Sequence, residues 1–100
     1  MDVQFRTKRL LNRYEKSKEG QRQWDEKVAR RYIERVNILK RAKSAGDLYK
    51  VRALNFHPLS GNKKGLYALT LIDRWRMEVS FQDQKLTVVR VEEVSQHYGD

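Results

Sequence analysis

The sequence predicts one α+β domain over residues 1–100, with two N-terminal helices packed on one face of a small, mainly antiparallel sheet. Three observations predict it. Apolar residues recur at helical spacing through the first half, the apolar period falls from 3.6 to 2 after Asp47, and no linker, repeat or low-complexity segment divides the chain.

In chain order, Val3 to Phe5 has the look of a short opening strand. Lys8 to Lys16 carries Leu10, Leu11 and Tyr14 at helical spacing, and Gly20 breaks that pattern. From Trp24, the residues Trp24, Val28, Tyr32, Val36 and Leu39 recur every three or four positions, with Ile33 widening the stripe. They define an amphipathic helix of about five turns that stops before Ser44-Ala45-Gly46. Such a stripe is a core face rather than a cofactor box. Val51 to Phe56 is a candidate strand, and Leu66 to Ile72 a clearer one. Asp73-Arg74 forms a two-residue turn into Trp75–Phe81, where Trp75, Met77, Val79 and Phe81 share one face and Arg76, Glu78 and Ser80 the other. After an Asp83-Gln84 turn, Leu86 to Val94 is rich in β-branched residues and closes the sheet. The helices cover one face, leaving the face that bears Arg76 open to a ligand.

Composition narrows the function. Hydrophobic residues make up 39% of the chain and charged residues 35%, which describes a globular and heavily charged domain. The absence of cysteine excludes disulfide and thiolate chemistry and suits a reducing cytoplasm. No apolar run reaches the roughly 18 residues of a membrane span, so no membrane role is expected. The net charge of +9 points to an anionic partner. Residues 1–43 hold fourteen Lys/Arg against six Asp/Glu, and residues 44–100 hold eight against seven, so the excess lies in the helical half. There, Arg30, Arg31 and Arg35 are candidate contacts to such a partner, with an ordinary solvated helix face as the alternative.

Few residues suit chemistry. His57 and His97 are the only histidines, and without cysteine or an HxxxH or HxH pair they do not make a metal site. Ser60 in PLSGN is a turn residue rather than a nucleophile, and GNKKG lacks the spacing of a phosphate-binding loop. Glu92 and Glu93 are adjacent on a strand and cannot line one cleft together without a bulge. The remaining set is His57, Lys63, Lys64, Arg74, Arg76, His97 and Tyr98. These residue types suit cleavage of RNA by its own 2′-hydroxyl. One group removes the hydroxyl proton, one protonates the leaving 5′-oxygen, and cations stabilise the phosphorane, with no metal or cofactor required.

The run FHPLSGNKKGLYALTLIDRWRMEVSF resembles the central segment of HigB-like toxins of the RelE/ParE superfamily, bacterial type II toxins encoded beside an antitoxin. The shared features are the His-Pro-Leu, the basic Gly-containing loop, the aromatic-led strand and the Trp-Arg that opens an alternating strand. Chain length, the two leading helices and the closing VVRVEEVSQHYGD extend the resemblance over nearly the whole sequence.

The resemblance implies a compact microbial-ribonuclease-like fold and a ribosome-dependent endoribonuclease that cuts translated mRNA in the A site, leaving a cyclic phosphate. It implies catalytic roles for His57, Arg76, His97 and Tyr98, with Lys63, Lys64 and Arg74 binding phosphate. The sequence departs from the pattern at Ser60 and Ile72, where the family often carries a lysine and an arginine, and His97-Tyr98 reverses the terminal Tyr-His order. Asp100 and Glu93 are candidates for the family's acidic residue. The implied partners are a helix-turn-helix antitoxin, the ribosome with its mRNA, and DNA only through the antitoxin complex. ParE-type members, which inhibit DNA gyrase through protein contacts without this basic and imidazole set, provide the alternative reading.

Overall fold

A computed structural model describes residues 1–16 and 24–97. The elements are β1 (Asp2–Phe5), α1 (Lys8–Glu15), α2 (Glu26–Arg41), a short α3 (Ala45–Tyr49), β2 (His57–Pro58), β3 (Tyr67–Ile72), β4 (Trp75–Phe81) and β5 (Val88–Gln96). Among the described residues the five strands form one sheet in the order β1-β5-β4-β3-β2. β1 runs parallel to β5, and the remaining pairs are antiparallel. Gly20 lies outside the described residues.

Each helix starts where its sequence provides a cap. Thr7 Oγ1 accepts a hydrogen bond from the Leu10 N–H, and Asp25 Oδ1 accepts one from the Val28 N–H. The Asp25 cap starts α2 at Glu26, so Trp24 joins the core from outside the helix rather than as its first apolar position. Its indole lies edge-on to Tyr32 and Trp75 and beneath the Arg13 guanidinium. Val28, Tyr32, Val36 and Leu39 of α2 are buried against Leu69, Leu71, Met77, Val79, Val89 and Val91 of the sheet. Tyr32 also donates its hydroxyl to the Leu10 carbonyl at 2.8 Å, tying α1 to α2.

Three expectations need correction. Val51 to Phe56 is not a strand: successive i→i+3 bonds from Leu54 to Val51 and from Asn55 to Arg52 form a 3₁₀ turn over Arg52–Leu54. The apolar alternation there serves the core directly, since Leu54 and Phe56 are buried while Val51 is exposed. Ser44-Ala45-Gly46 ends α2 but also opens α3, whose Leu48 is buried. The last strand begins at Val88, two residues late, because Leu86 takes a left-handed φ of 57° and the Asp83 carboxylate accepts from Thr87 and Val88 N–H. The Asp73-Arg74 turn is as expected, with Asp73 at φ 54° and Ile72 paired to Trp75.

Candidate active site

Strand register assembles the site. On β4, Met77 and Val79 are buried towards the helices, so Arg76, Glu78 and Ser80 take the opposite face. Residues paired directly across a sheet share a face. His57 on β2 therefore lies in one row with Ala68 on β3 and Glu78 on β4, and Thr70 and Arg76 form the next row. Two strand residues separate the rows, about 6.6 Å. Ala68 is the small member of its row, which leaves room between His57 and Arg76.

The chain between β2 and β3 builds one wall. The Leu59 N–H donates to the Leu66 carbonyl at 2.8 Å, and a 3₁₀ turn covers Gly61–Lys63. Gly61 and Gly65 have φ values of 65° and 99°, a backbone region that glycine enters without strain. This loop folds back over the sheet, so the face bearing Arg76 is partly covered rather than wholly open. Loop, sheet and β3–β4 turn enclose a cleft of about 690 Å³, lined among others by His57, Lys63, Thr70, Arg74, Arg76 and His97. The His57 ring is exposed, with Nδ1 2.8 Å from the Asn55 carbonyl oxygen; donation to that oxygen puts the proton on Nδ1 and leaves Nε2 to accept. Asn55 holds this carbonyl in place through a left-handed φ of 45°. The His97 N–H donates to the Arg74 carbonyl at 2.7 Å, fixing the end of β5 beside the β3–β4 turn.

The central electrostatic feature is a residue that sequence reasoning did not single out. Glu78 is 1% exposed, and its Oε2 accepts from both Lys63 Nζ and Arg76 Nη2 at 2.8 Å. Strand alternation had put Glu78 on the ligand face, but a lone glutamate there reads as solvated; the signal that could have marked it is the lysine-rich loop ahead. Arg76 Nε is buried without a hydrogen-bond partner. An orphaned charged donor is uncommon and is tolerated most readily where the charge has a use.

A second carboxylate organises the far side of this face. The β4–β5 register shifts between Glu78 and Val79, so a bulge puts both Glu92 and Glu93 between the core-facing Val91 and Val94. This is the bulge that the adjacent glutamates require to share a face. Ser80 Oγ and Arg90 Nε both donate to Glu92 Oε2, and Arg6 Nε lies 3.7 Å from Oε1. Burial pushes the Glu92 pKa upward, but the Ser80 and Arg90 hydrogen bonds and the Arg90 and Arg6 charges outweigh it and hold the carboxyl below its ordinary range. Among the described residues no three His, Asp or Glu side chains cluster as metal ligands would.

The structure thus gathers His57, Lys63, Arg74, Arg76 and His97 around one cleft. Lys64 is exposed and does not line it. Tyr98 and Asp100 lie outside the described residues. The expectation that Arg30, Arg31 and Arg35 form one exposed face needs correction. Arg30 is exposed and paired with Glu26, but Arg31 Nη1 donates to the Leu71 carbonyl and Arg35 Nε to the Thr70 carbonyl. Arg35 is only 7% exposed. Burial, followed by the Arg31 charge, lowers its pKa.

No protein-family model matches the sequence, and no curated protein matches it either. Solved structures do share the fold. A histidine-to-glutamine mutant of YafQ from E. coli superposes with a TM-score of 0.63 at 16% identity, over 96% of this chain and 92% of that one. A YoeB/ParE toxin from Agrobacterium tumefaciens gives 0.62 at 17% identity, over 98% of this chain and all of the other. The toxin–antitoxin complex RelBE2 from Mycobacterium tuberculosis gives 0.50 at 14% identity, over 96% of each chain. The architecture is that of the RelE-like toxins: helices on one face of a mainly antiparallel sheet.

Proposed function

We propose that this protein is the toxin of a type II toxin–antitoxin pair and acts as a ribosome-dependent endoribonuclease on translated mRNA. The observation that carries the reading is the cleft, which both histidines, His57 and His97, line together with Lys63, Arg74 and Arg76. Chains of this fold include proteins described as toxins, one of them in complex with its antitoxin. That supports a cognate antitoxin, here expected to be a helix-turn-helix protein through which DNA is contacted, and action in the cytoplasm.

The chemistry follows from the groups. The 2′-oxygen of the RNA attacks the adjacent phosphorus, the bond from phosphorus to the 5′-oxygen breaks, and a 2′,3′-cyclic phosphate and a 5′-hydroxyl result. His57, His97 and Tyr98 are the groups assigned to take the 2′-hydroxyl proton and to supply one to the leaving oxygen. Arg76 stabilises negative charge building on the phosphorane, Lys63 binds the same phosphate, and Arg74 holds a flanking one. Lys64 stands outside the cleft and is suited to the next phosphate along the strand or to ribosomal RNA, as is Arg30. Such a set gains further from a ribosome that holds the message in an attack-ready geometry.

The test is induction of the protein followed by mapping of 5′ ends on translated messages. New ends inside reading frames, with protein synthesis arrested and DNA supercoiling unchanged, are expected. Intact messages together with gyrase–DNA breaks reject the reading in favour of a ParE-type gyrase inhibitor.

A further inference from the structure

We infer that Glu78 is a positioning residue that holds Lys63 and Arg76 converged in the cleft so that both act on the same phosphodiester. The inference rests on the nuclease reading and deepens it. At 1% exposure Glu78 does not itself touch RNA. Its single oxygen Oε2 accepts from Lys63 Nζ and Arg76 Nη2, each at 2.8 Å, and those cations come from different elements, the β2–β3 loop and β4. One acceptor atom thereby fixes the separation of two positive groups.

The physical logic is pre-organisation. A carboxylate this deeply buried is costly unless it is paired and hydrogen-bonded, and both of its partners line the cleft. Lys63 is 41% exposed at its side chain, on a loop whose neck is closed by the bond from the Leu59 N–H to the Leu66 carbonyl. Free lysine on such a loop has many rotamers. With Glu78 beneath it, the ammonium is ordered during folding rather than on substrate binding. Arg76, 15% exposed at its side chain, is likewise held by one nitrogen while its guanidinium lines the cleft. If Glu78 were only a satisfied interior charge, its removal would cost stability without a selective effect on the chemical step.

The test is single-turnover cleavage on message-loaded ribosomes. Glu78→Gln should lower the rate at saturation by on the order of 10²-fold, the scale of a misplacement near 1 Å, with ribosome affinity within about twofold. In a Lys63→Met/Arg76→Ala background the same change should cost nothing further, because the groups it positions are gone. A folded Glu78→Gln protein with a normal rate overturns the inference, as does a loss that multiplies undiminished onto the double variant. Should Glu78→Gln fail to fold, Glu78→Asp keeps the charge but withdraws it by one methylene; a slowed rate upholds the inference and a normal one overturns it. A second readout needs no activity: ¹⁵N-edited spectra of the free protein. Slowly exchanging Lys63 ammonium and Arg76 guanidinium signals should vanish in the Gln variant, and their persistence overturns the clamp. A wild-type protein that cleaves nothing, yet loses these signals in Glu78→Gln, rejects the nuclease reading while upholding the clamp.

Discussion

Arg35 Nε donates to the Thr70 carbonyl oxygen at 2.9 Å, so a cation on the helix closes the edge of the sheet instead of facing solvent. β2 pairs only with Tyr67 and Ala68, which leaves the β3 carbonyls beyond it without a strand partner on that side. Arg31 does the same for Leu71 at 3.1 Å. These bonds are charge-assisted and partly buried, the stronger kind.

Arg35→Ala is therefore expected to cost about 1.5–3 kcal/mol of stability, a fall in Tm on the order of 10 °C. Thermal melting checks it. The salt dependence of ribosome association should not change beyond what unfolding explains.

Arg30 offers the contrast. It is exposed, and its i,i+4 pair with Glu26 adds only about 0.2–0.5 kcal/mol. Arg30→Ala should melt within about 2 °C of wild type and flatten the salt dependence of ribosome binding by about one unit of slope. An unchanged slope assigns this part of α2 to solvent or to the antitoxin.

Arg76→Ala should reduce single-turnover cleavage by about 10²–10³-fold, or roughly 2.7–4 kcal/mol of transition-state stabilisation, without a matching loss of binding. Strand alternation alone suggests an exposed residue whose removal barely affects folding. Its bond to buried Glu78 changes that: the carboxylate loses one of two partners, and about 1–3 kcal/mol of stability goes with it. Assays need a temperature well below the lowered Tm. A folded Arg76→Ala protein that cleaves at the normal rate removes Arg76 from the mechanism.

The contrast between Arg76 and Glu78 marks where the sequence stops being legible. Period-2 alternation put both on the ligand face, and period-3.6 spacing placed Val28, Tyr32, Val36 and Leu39 in the core; local stereochemistry sets those features. The folding of a loop over the sheet is a non-local event. It buries Glu78, captures Lys63 and leaves Lys64 outside, and no local pattern distinguishes the two lysines. Arg35 was misread for the same reason. Its place on a charged helix face was visible, but the unpaired β3 edge facing it was not. His57 was legible because the HPL run and its basic loop are contiguous, whereas Glu92 and Glu93 share a face only through a bulge that the sequence does not announce.

Glu92 makes the pH dependence testable. Its carboxyl is held below the ordinary range, so its contribution to stability is fully present above the unfolded glutamate value of about 4.3 and is lost as pH falls through the lower folded value. The Tm gap between wild type and Glu92→Gln should be constant from about pH 8 to about pH 6 and should close below about pH 4. A gap that persists unchanged in stronger acid contradicts the assignment.

Tyr32 is fully buried, and its hydroxyl bonds the Leu10 carbonyl. Burial raises its pKa, so the phenol is a donor at every working pH. Tyr32→Phe keeps the ring but removes that hydrogen bond between the helices. It should cost about 0.5–1.5 kcal/mol and loosen α1 against α2, which hydrogen exchange of the α1 amides would report.

The parallel pairing of β1 with β5 sets the order in which the domain can be completed. Asp2 lies opposite Val88, so of the five strands the first to be synthesised waits for the last, while β3–β4 and β4–β5 join by short turns. Long-separation contacts form late because the loop they close must be ordered first. His97 follows directly on β5, so the cleft lacks one of its two histidines until that strand has docked. On the nuclease reading, the chain is expected to be inactive until then. Pulse-labelled hydrogen exchange during refolding should protect the β3–β4 amides before those shared by β1 and β5.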